Sequence, residues 1–252
     1  MDMKALVTGA SSGIGLEIAR YLDQLGYQLI LVSRNKDKLE EFASTLSQKP
    51  KIIIMDLLVE SNVKSLYVLT KNEDIDILVN NAGFGDFGVF TETELSKELD
   101  MIDLNIKSVH MLTKMFLKEM TKKNSGYILN VASSAAFQPG PLMATYYSTK
   151  SYVLHLTEAI WYELKKQKSK VHISCLCPGP VDTNFNNVAG VKFSVKPLTP
   201  EKVAHYAIDK MFKKKLVIVP GFKMKCAKFF GRFLSDKKLM SITYKIQKKK
   251  KR

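Results

Sequence analysis

Tyr146 and Lys150 lie four residues apart in a stretch whose apolar residues recur at helical spacing. Their side chains therefore project from one face, one turn from each other. A free tyrosine gives up its proton only near pH ~10, but an adjacent ammonium stabilises its phenolate. Thirteen residues before Tyr146, Ser133 closes an apolar run within Asn130-Val131-Ala132-Ser133-Ser134. A hydroxyl, a phenol and an amine brought together could meet charge developing on a substrate oxygen and move a proton to it. The neighbouring register fails, because Tyr147 has Ser151 rather than lysine four residues later. Near the start, Thr8-Gly9-Ala10-Ser11-Ser12-Gly13-Ile14-Gly15 joins a strand-like run directly to a helical one. Such a turn lets the backbone approach a pyrophosphate, whose charge the unpaired N–H groups and the helix dipole favour.

The elements that must position these groups alternate along the chain. Apolar β-rich runs at 5–7, 28–32, 51–55, 75–79, 127–131, 171–176 and 216–219 predict seven strands. Helical periodicity at 14–25, 36–46, 63–69, 104–120 and 147–164 predicts the helices between them. Thr199-Pro200-Glu201 marks a further helix start: threonine caps, proline suits the first helical position, and glutamate favours the positive end. The expectation is an α/β fold of Rossmann-like, doubly wound type, a parallel seven-stranded sheet with helices on both faces.

The Gly-x-x-x-Gly-x-Gly spacing of the first turn resembles the cofactor turn of the short-chain dehydrogenase/reductase family, and further matches follow in chain order. Asn80-Asn81-Ala82-Gly83 resembles the family's segment that supports the sheet and lines the adenosine side. Asp56, with Leu57 beside it, resembles the acidic position that hydrogen-bonds the adenine amino group. Pro178-Gly179-Pro180-Val181-Asp182-Thr183 resembles the turn that meets the nicotinamide carboxamide, with Thr183 at the contacting position. Ser133, Tyr146 and Lys150 match the catalytic positions, and Asn105 in Asp103-Leu104-Asn105-Ile106 resembles the helix asparagine whose backbone carbonyl holds a water linking Lys150 to solvent.

The resemblance implies that Gly9, Ser11, Ser12, Gly13, Ile14, Gly15, Ser33, Arg34, Asp56, Leu57, Asn81, Ala82 and Gly83 bind the cofactor, together with Tyr146, Lys150, Pro178, Gly179, Val181 and Thr183. It also implies that Ser133 hydrogen-bonds the substrate oxygen, Tyr146 delivers a proton, and Lys150 holds the nicotinamide ribose. Where an acidic residue at the end of the second strand would select NAD, this chain reads Ser33-Arg34. A guanidinium there offers charge-assisted hydrogen bonds to a 2′-phosphate, so NADP(H) is favoured and NAD(H) is the alternative. A basic residue just before the second glycine, another NADP signal, is absent; Ser12 stands there.

Length and composition agree with one enzyme domain. The chain has 252 residues, 46% of them hydrophobic, enough for one core. The cysteines, Cys175, Cys177 and Cys226, are odd in number and spaced for neither a redox pair nor a zinc half-site, and His110, His155, His172 and His205 show no ligand spacing, so no metal is expected. Of the net charge of +15, nearly all lies after residue 212, where fifteen lysines and arginines accompany a single acid, Asp236. The expected organisation is therefore a catalytic domain at 1–220 and a basic amphipathic extension at 221–252. In that extension Phe222, Cys226, Phe229, Phe230, Phe233 and Leu234 recur at helical spacing among lysines, and Lys248 to Arg252 form a cluster. The pattern suits a helix on an anionic membrane surface. Packing on the body, a subunit interface and a solvated tail are the competing placements, and a nucleic-acid partner is not expected.

The amino terminus carries no charged leader with an apolar core, so a cytoplasmic protein is expected, peripheral to the inner membrane face if the tail binds lipid. Pocket candidates are Phe84, Phe87, Pro141, Leu142 and Met143, with Phe185, Val188, Val191 and Phe193 in a segment that covers the substrate in relatives. The leading expectation is an NADPH-dependent reductase of an apolar or lipid-like ketone, such as a 3-oxoacyl or hydroxysteroid-type compound. The alternatives are an NAD-dependent alcohol dehydrogenase, a non-catalytic NADP(H) sensor, or a membrane-recruited interaction protein. A homodimer or homotetramer is expected by analogy.

Overall fold

The computed structural model describes residues 3–185, 189–190 and 197–249. Seven parallel strands, β1 (Lys4–Thr8), β2 (Gln28–Ser33), β3 (Lys51–Ile54), β4 (Ile77–Asn80), β5 (Tyr127–Val131), β6 (His172–Leu176) and β7 (Val217–Ile218), form one sheet in the order β3-β2-β1-β4-β5-β6-β7. The chain builds outward from β1 through β2 and β3, then crosses back to lay β4 against the other side of β1. This reversal opens a crevice above the carboxyl ends of β1 and β4, the usual place for a ligand in such a sheet.

Strand alternation divides the core into two layers. Ala5, Val7, Leu29, Leu31, Ile77 and Val79 face one side, where they meet α1 (Gly13–Gln24), α2 (Lys36–Ala43) and α7 (Pro200–Phe212) through Ile18, Leu22, Leu39, Phe42 and Ile208. Leu6, Ile30, Val32, Leu78, Ile128 and Ile173 face the other, against α3 (Glu60–Thr70), α5 (Val109–Lys123) and α6 (Ala144–Lys166), which supply Leu66, Leu112, Phe116 and Leu164. Local signals set the helix ends. Asn35 caps α2 by accepting from the Lys38 N–H at 2.9 Å, Thr199 caps α7 through the Lys202 N–H, and α5 stops where Asn124 turns left-handed at φ 50°.

Two features matter to the site, the first a departure from expectation and the second one of the placements considered for the tail. The helix predicted at 104–120 begins earlier: α4 (Leu95–Ile102) runs through a π-helical turn, Asp103–Ser108, into α5. The tail forms two helices, α8 (Phe222–Gly231) and α9 (Asp236–Lys248), and α9 packs on the body through buried Thr243 and Gln247.

Leu31 lies in the middle of β2 with no exposed surface. Leu31→Ala is expected to lower unfolding free energy by about 2–5 kcal/mol. Leu69→Ala, at an exposed position on α3, is expected to change it by less than about 0.5 kcal/mol, both read from urea unfolding.

Candidate active site

The crevice is a cavity of about 370 Å³ that runs from Arg34 and Asp56 at one end to Ser133, Tyr146 and Lys150 at the other. Its floor is the glycine turn. Thr8 donates through Oγ1 to the Val79 carbonyl at 3.2 Å and accepts from the N–H groups of Asn81 and Ala82 at 3.0 and 3.2 Å. Asn81 Nδ2 in turn donates to the carbonyls of Thr8 and Gly9 at 3.1 and 3.2 Å. These bonds lock the end of β1 to the end of β4, and the packing leaves no room for a side chain at Gly9 and little at Gly13. A Cβ on Gly9 would lie 2.8 Å from Asn81 Nδ2, and one on Gly13 would lie 3.0 Å from Thr183 Cγ2. Both glycines also hold positive φ, +66° and +57°. The turn thus keeps a bare backbone cradle at the amino end of α1, which fits a dinucleotide pyrophosphate.

At the adenosine end, Ser33 donates to Ser11 at 2.7 Å, and the exposed Arg34 guanidinium stands 3.6 Å from the Asp56 carboxylate. At the other end, α6 carries Tyr146 and Lys150 into the interior. Lys150 Nζ donates to the Val131 carbonyl at 3.0 Å and lies 5.9 Å from the Tyr146 ring centroid. Ser133, whose Oγ accepts the Ala135 N–H at 3.1 Å, lines the cavity beside Tyr146. All three expected catalytic groups therefore meet at the end of β5.

The electrostatics differ from the expectation that Lys150 draws the Tyr146 phenol down. Burial dominates and raises the phenol well above its ordinary value; the Ser133 hydroxyl opposes it only in part. The same burial lowers the Lys150 amine to about 8. The phenol keeps its proton at neutral pH, and the amine keeps its charge only below about pH 8.

Asn105 and Gly15 do not line the cavity. Asn105 is buried within the π-helical turn, where its side chain accepts from the Phe84 N–H at 3.1 Å and donates to the Phe84 carbonyl at 2.9 Å and to Thr149 Oγ1 at 3.1 Å. It borders Lys150 across Gly83, where a Cβ would stand 2.7 Å from Asn105 Oδ1 and 3.3 Å from Lys150 Nζ, and it reaches Tyr146 through Thr149, whose Oγ1 donates to the Tyr146 carbonyl at 2.8 Å. Gly15 lies under the turn, where a Cβ would strike Asn81 Nδ2 and the Gly9 carbonyl. Every other expected catalytic and cofactor-contacting residue lines the cavity.

A family model described as short chain dehydrogenase matches residues 3–191. The chain belongs to the short-chain dehydrogenase family. It is 36% identical over 181 residues to an uncharacterized oxidoreductase of Staphylococcus epidermidis, an alignment covering 71% of this chain and 78% of the relative. It is also 36% identical over 194 residues to the very-long-chain 3-oxoacyl-CoA reductase of Phaeosphaeria nodorum, covering 73% of this chain and 56% of that protein. Among solved structures, the alcohol dehydrogenase from Thermococcus sibiricus complexed with 5-hydroxy-NADP superposes with a TM-score of 0.74 at 29% identity, covering 87% of this chain and 96% of that one. This family member is accordingly an oxidoreductase that works with a nicotinamide dinucleotide.

In this short-chain dehydrogenase the expected pocket candidates Phe84, Met143 and Phe185 line the cavity, and so does Tyr147, which was not among them. Phe87 packs behind them in the same cluster. Pro141 and Leu142 do not line the cavity; the Leu142 carbonyl is used instead to accept the Gly88 N–H at 2.9 Å. Val188, Val191 and Phe193 lie outside the described residues. Tyr147 is held by the tail: Gln247 Nε2 donates to its hydroxyl, and burial pushes the phenol up to about 12. The helical spacing read in the tail covers Phe222 to Leu234 and did not point to Gln247.

Because Lys150 loses its charge above about pH 8, affinity of the free enzyme for reduced nicotinamide dinucleotide is expected to fall between about pH 7 and about pH 9.5. Lys150→Met is expected to bind more weakly with a flat profile, as measured by titration calorimetry. A wild-type profile as flat as the variant's would contradict the assignment.

Proposed function

We propose that this protein is an NADP(H)-dependent reductase that converts an apolar ketone, of the 3-oxoacyl or hydroxysteroid kind, to an alcohol. The observation that carries the reading is the Ser133–Tyr146–Lys150 cluster at one end of a cavity whose other end holds Arg34. Ser133 and Tyr146 offer hydroxyl hydrogens to one point, where they would hold the substrate carbonyl oxygen and meet the charge that develops on it. Tyr146, kept protonated by burial, then releases its proton to that oxygen. Lys150, charged at neutral pH, is placed to hold the ribose next to the nicotinamide and to compensate the phenolate left behind. The bound reduced nicotinamide supplies the hydride to the carbonyl carbon. Asn105 acts as a positioning residue by clamping the Phe84 backbone beside Gly83.

Burial keeps the proton on the Tyr146 phenol, the form from which carbonyl reduction starts. NADP(H) is supported by Arg34, by the lack of an acidic residue at the end of β2, and by the NADP analogue in the Thermococcus sibiricus relative. An apolar substrate is supported by Phe84, Met143, Tyr147 and Phe185 and by the acyl substrate named for the Phaeosphaeria nodorum reductase. A dinucleotide sensor would need none of the proton-transfer groups. The homo-oligomeric state common in this family is expected here as well.

Tyr146→Phe is expected to bind NADPH as the wild type does and to lose ~10²–10⁴-fold in kcat on a ketone panel followed at the nicotinamide absorbance; wild-type turnover would refute the proton-donor role. Arg34→Asp is expected to weaken NADPH binding by about 1.5–3 kcal/mol, roughly ten- to a hundredfold, and to leave NADH binding nearly unchanged. Equal losses for both cofactors would remove Arg34 from phosphate recognition.

A further inference from the structure

The tail helices present two unlike faces. Inward, Met224 of α8 packs on the cavity turn, where a Cβ on Gly179 would meet its Sδ at 2.6 Å, and Lys228 Nζ sits 4.5 Å over the Phe137 ring. In α9, Thr243 accepts from Gln138 Nε2 at 2.9 Å and Gln247 reaches Tyr147. These contacts fix both helices to the enzyme body. Outward, α8 and the turn after it expose four phenylalanines: Phe222 at 79%, Phe229 at 56%, Phe230 at 63% and Phe233 at 73% of their surface. The Phe229 ring touches those of Phe230 and Phe233, with centroids 5.4 Å apart in each pair. The side chains of Lys223, Lys225, Arg232, Lys237 and Lys238 are exposed around them.

An exposed aromatic cluster of this kind is unfavourable in water unless something covers it. The charge identifies what. Residues 213–252 carry fifteen basic side chains and one acidic one, while the rest of the chain is close to neutral. A second copy would bring the same positive surface against it. An anionic bilayer accepts both features at once, aromatic rings at the acyl boundary and lysines among the headgroups. No helix among the described residues is long and apolar enough to cross a membrane, so the contact is with the surface. We propose that α8 is a membrane-docking foot whose Phe222, Phe229, Phe230 and Phe233 insert into an anionic lipid surface while the flanking lysines and Arg232 bind its headgroups. The foot holds the enzyme with the Pro178–Gly179 wall of its cavity close to the lipid.

The test uses the full chain and vesicles of phosphatidylcholine alone or mixed with phosphatidylglycerol. Wild-type protein is expected to co-sediment with the mixed vesicles, to do so less at high salt, and to remain in solution with phosphatidylcholine alone. Replacing Phe229, Phe230 and Phe233 together by serine, which leaves the charge unchanged, is expected to reduce partitioning by about tenfold or more without lowering the thermal unfolding midpoint, since these side chains are exposed. Replacing Lys223, Lys225, Lys237 and Lys238 by glutamate is expected to abolish it. The proposal is overturned if wild type and the phenylalanine variant bind equally, if neither binds, or if sedimentation occurs without lipid and size-exclusion chromatography shows the phenylalanines joining two copies. None of these readouts depends on catalysis, so the result stands apart from the proposed reaction.

Discussion

A buried hydrogen bond, from the Lys150 ammonium to the Val131 carbonyl, ties helix α6 to the very end of strand β5, and the meeting of Ser133, Tyr146 and Lys150 depends on it. Tyr146 rides on the same helix one turn earlier, and Ser133 stands two residues past Val131, just beyond the strand end. Fixing one helix against one strand end therefore brings together three side chains that the sequence spaces thirteen and four residues apart. The bond also satisfies a group that would otherwise be costly to bury, since an ammonium without a partner in a protein interior is strongly disfavoured. The lowered proton affinity of Lys150 and the raised one of Tyr146 are two results of the same exclusion of water.

The rest of the sheet supports that point through polar groups rather than through apolar packing alone. Thr8 and Asn81 join β1 to β4 where the chain reverses direction. Deeper in the same layer, Asn80 donates to Asn130 at 2.8 Å and to Thr113 at 3.0 Å, and Asn130 donates to Thr157 at 3.0 Å, linking β4 and β5 to α5 and α6. A buried network of this kind has little freedom to slip, because any shift of register would leave several polar groups without partners. It sets the height of β5 relative to α6, and with it the spacing of Ser133 from Tyr146.

Much of this arrangement was legible in the sequence, for a physical reason. Strands buried on both faces read as continuous apolar runs, and a glycine turn between strand and helix has few alternatives, so the seven strands and the dinucleotide cradle could be placed closely. Where the reading fell short, the governing contacts were polar or faced away from the core. Helix α4 was missed because Leu95, Leu99 and Ile102 point outward while Glu98 and Met101 are buried, the reverse of a core-facing stripe. The π-helical turn at Asp103–Ser108 has the same apolar spacing as the helix around it. The proton affinity of Tyr146 could not be read from a four-residue spacing, which shows a neighbouring amine and not the removal of water from both groups. The anchoring of the tail rests on Thr243 and Gln247, polar residues within a lysine-rich stretch that carries no core pattern.

Gln247 braces a tyrosine a hundred positions earlier in the cavity wall. The ribosome must therefore pass α9 before that wall gains its brace. A nascent polypeptide that stops short of α9 already holds the glycine turn and the Ser133, Tyr146 and Lys150 side chains, but its cavity wall stands unsupported at Tyr147.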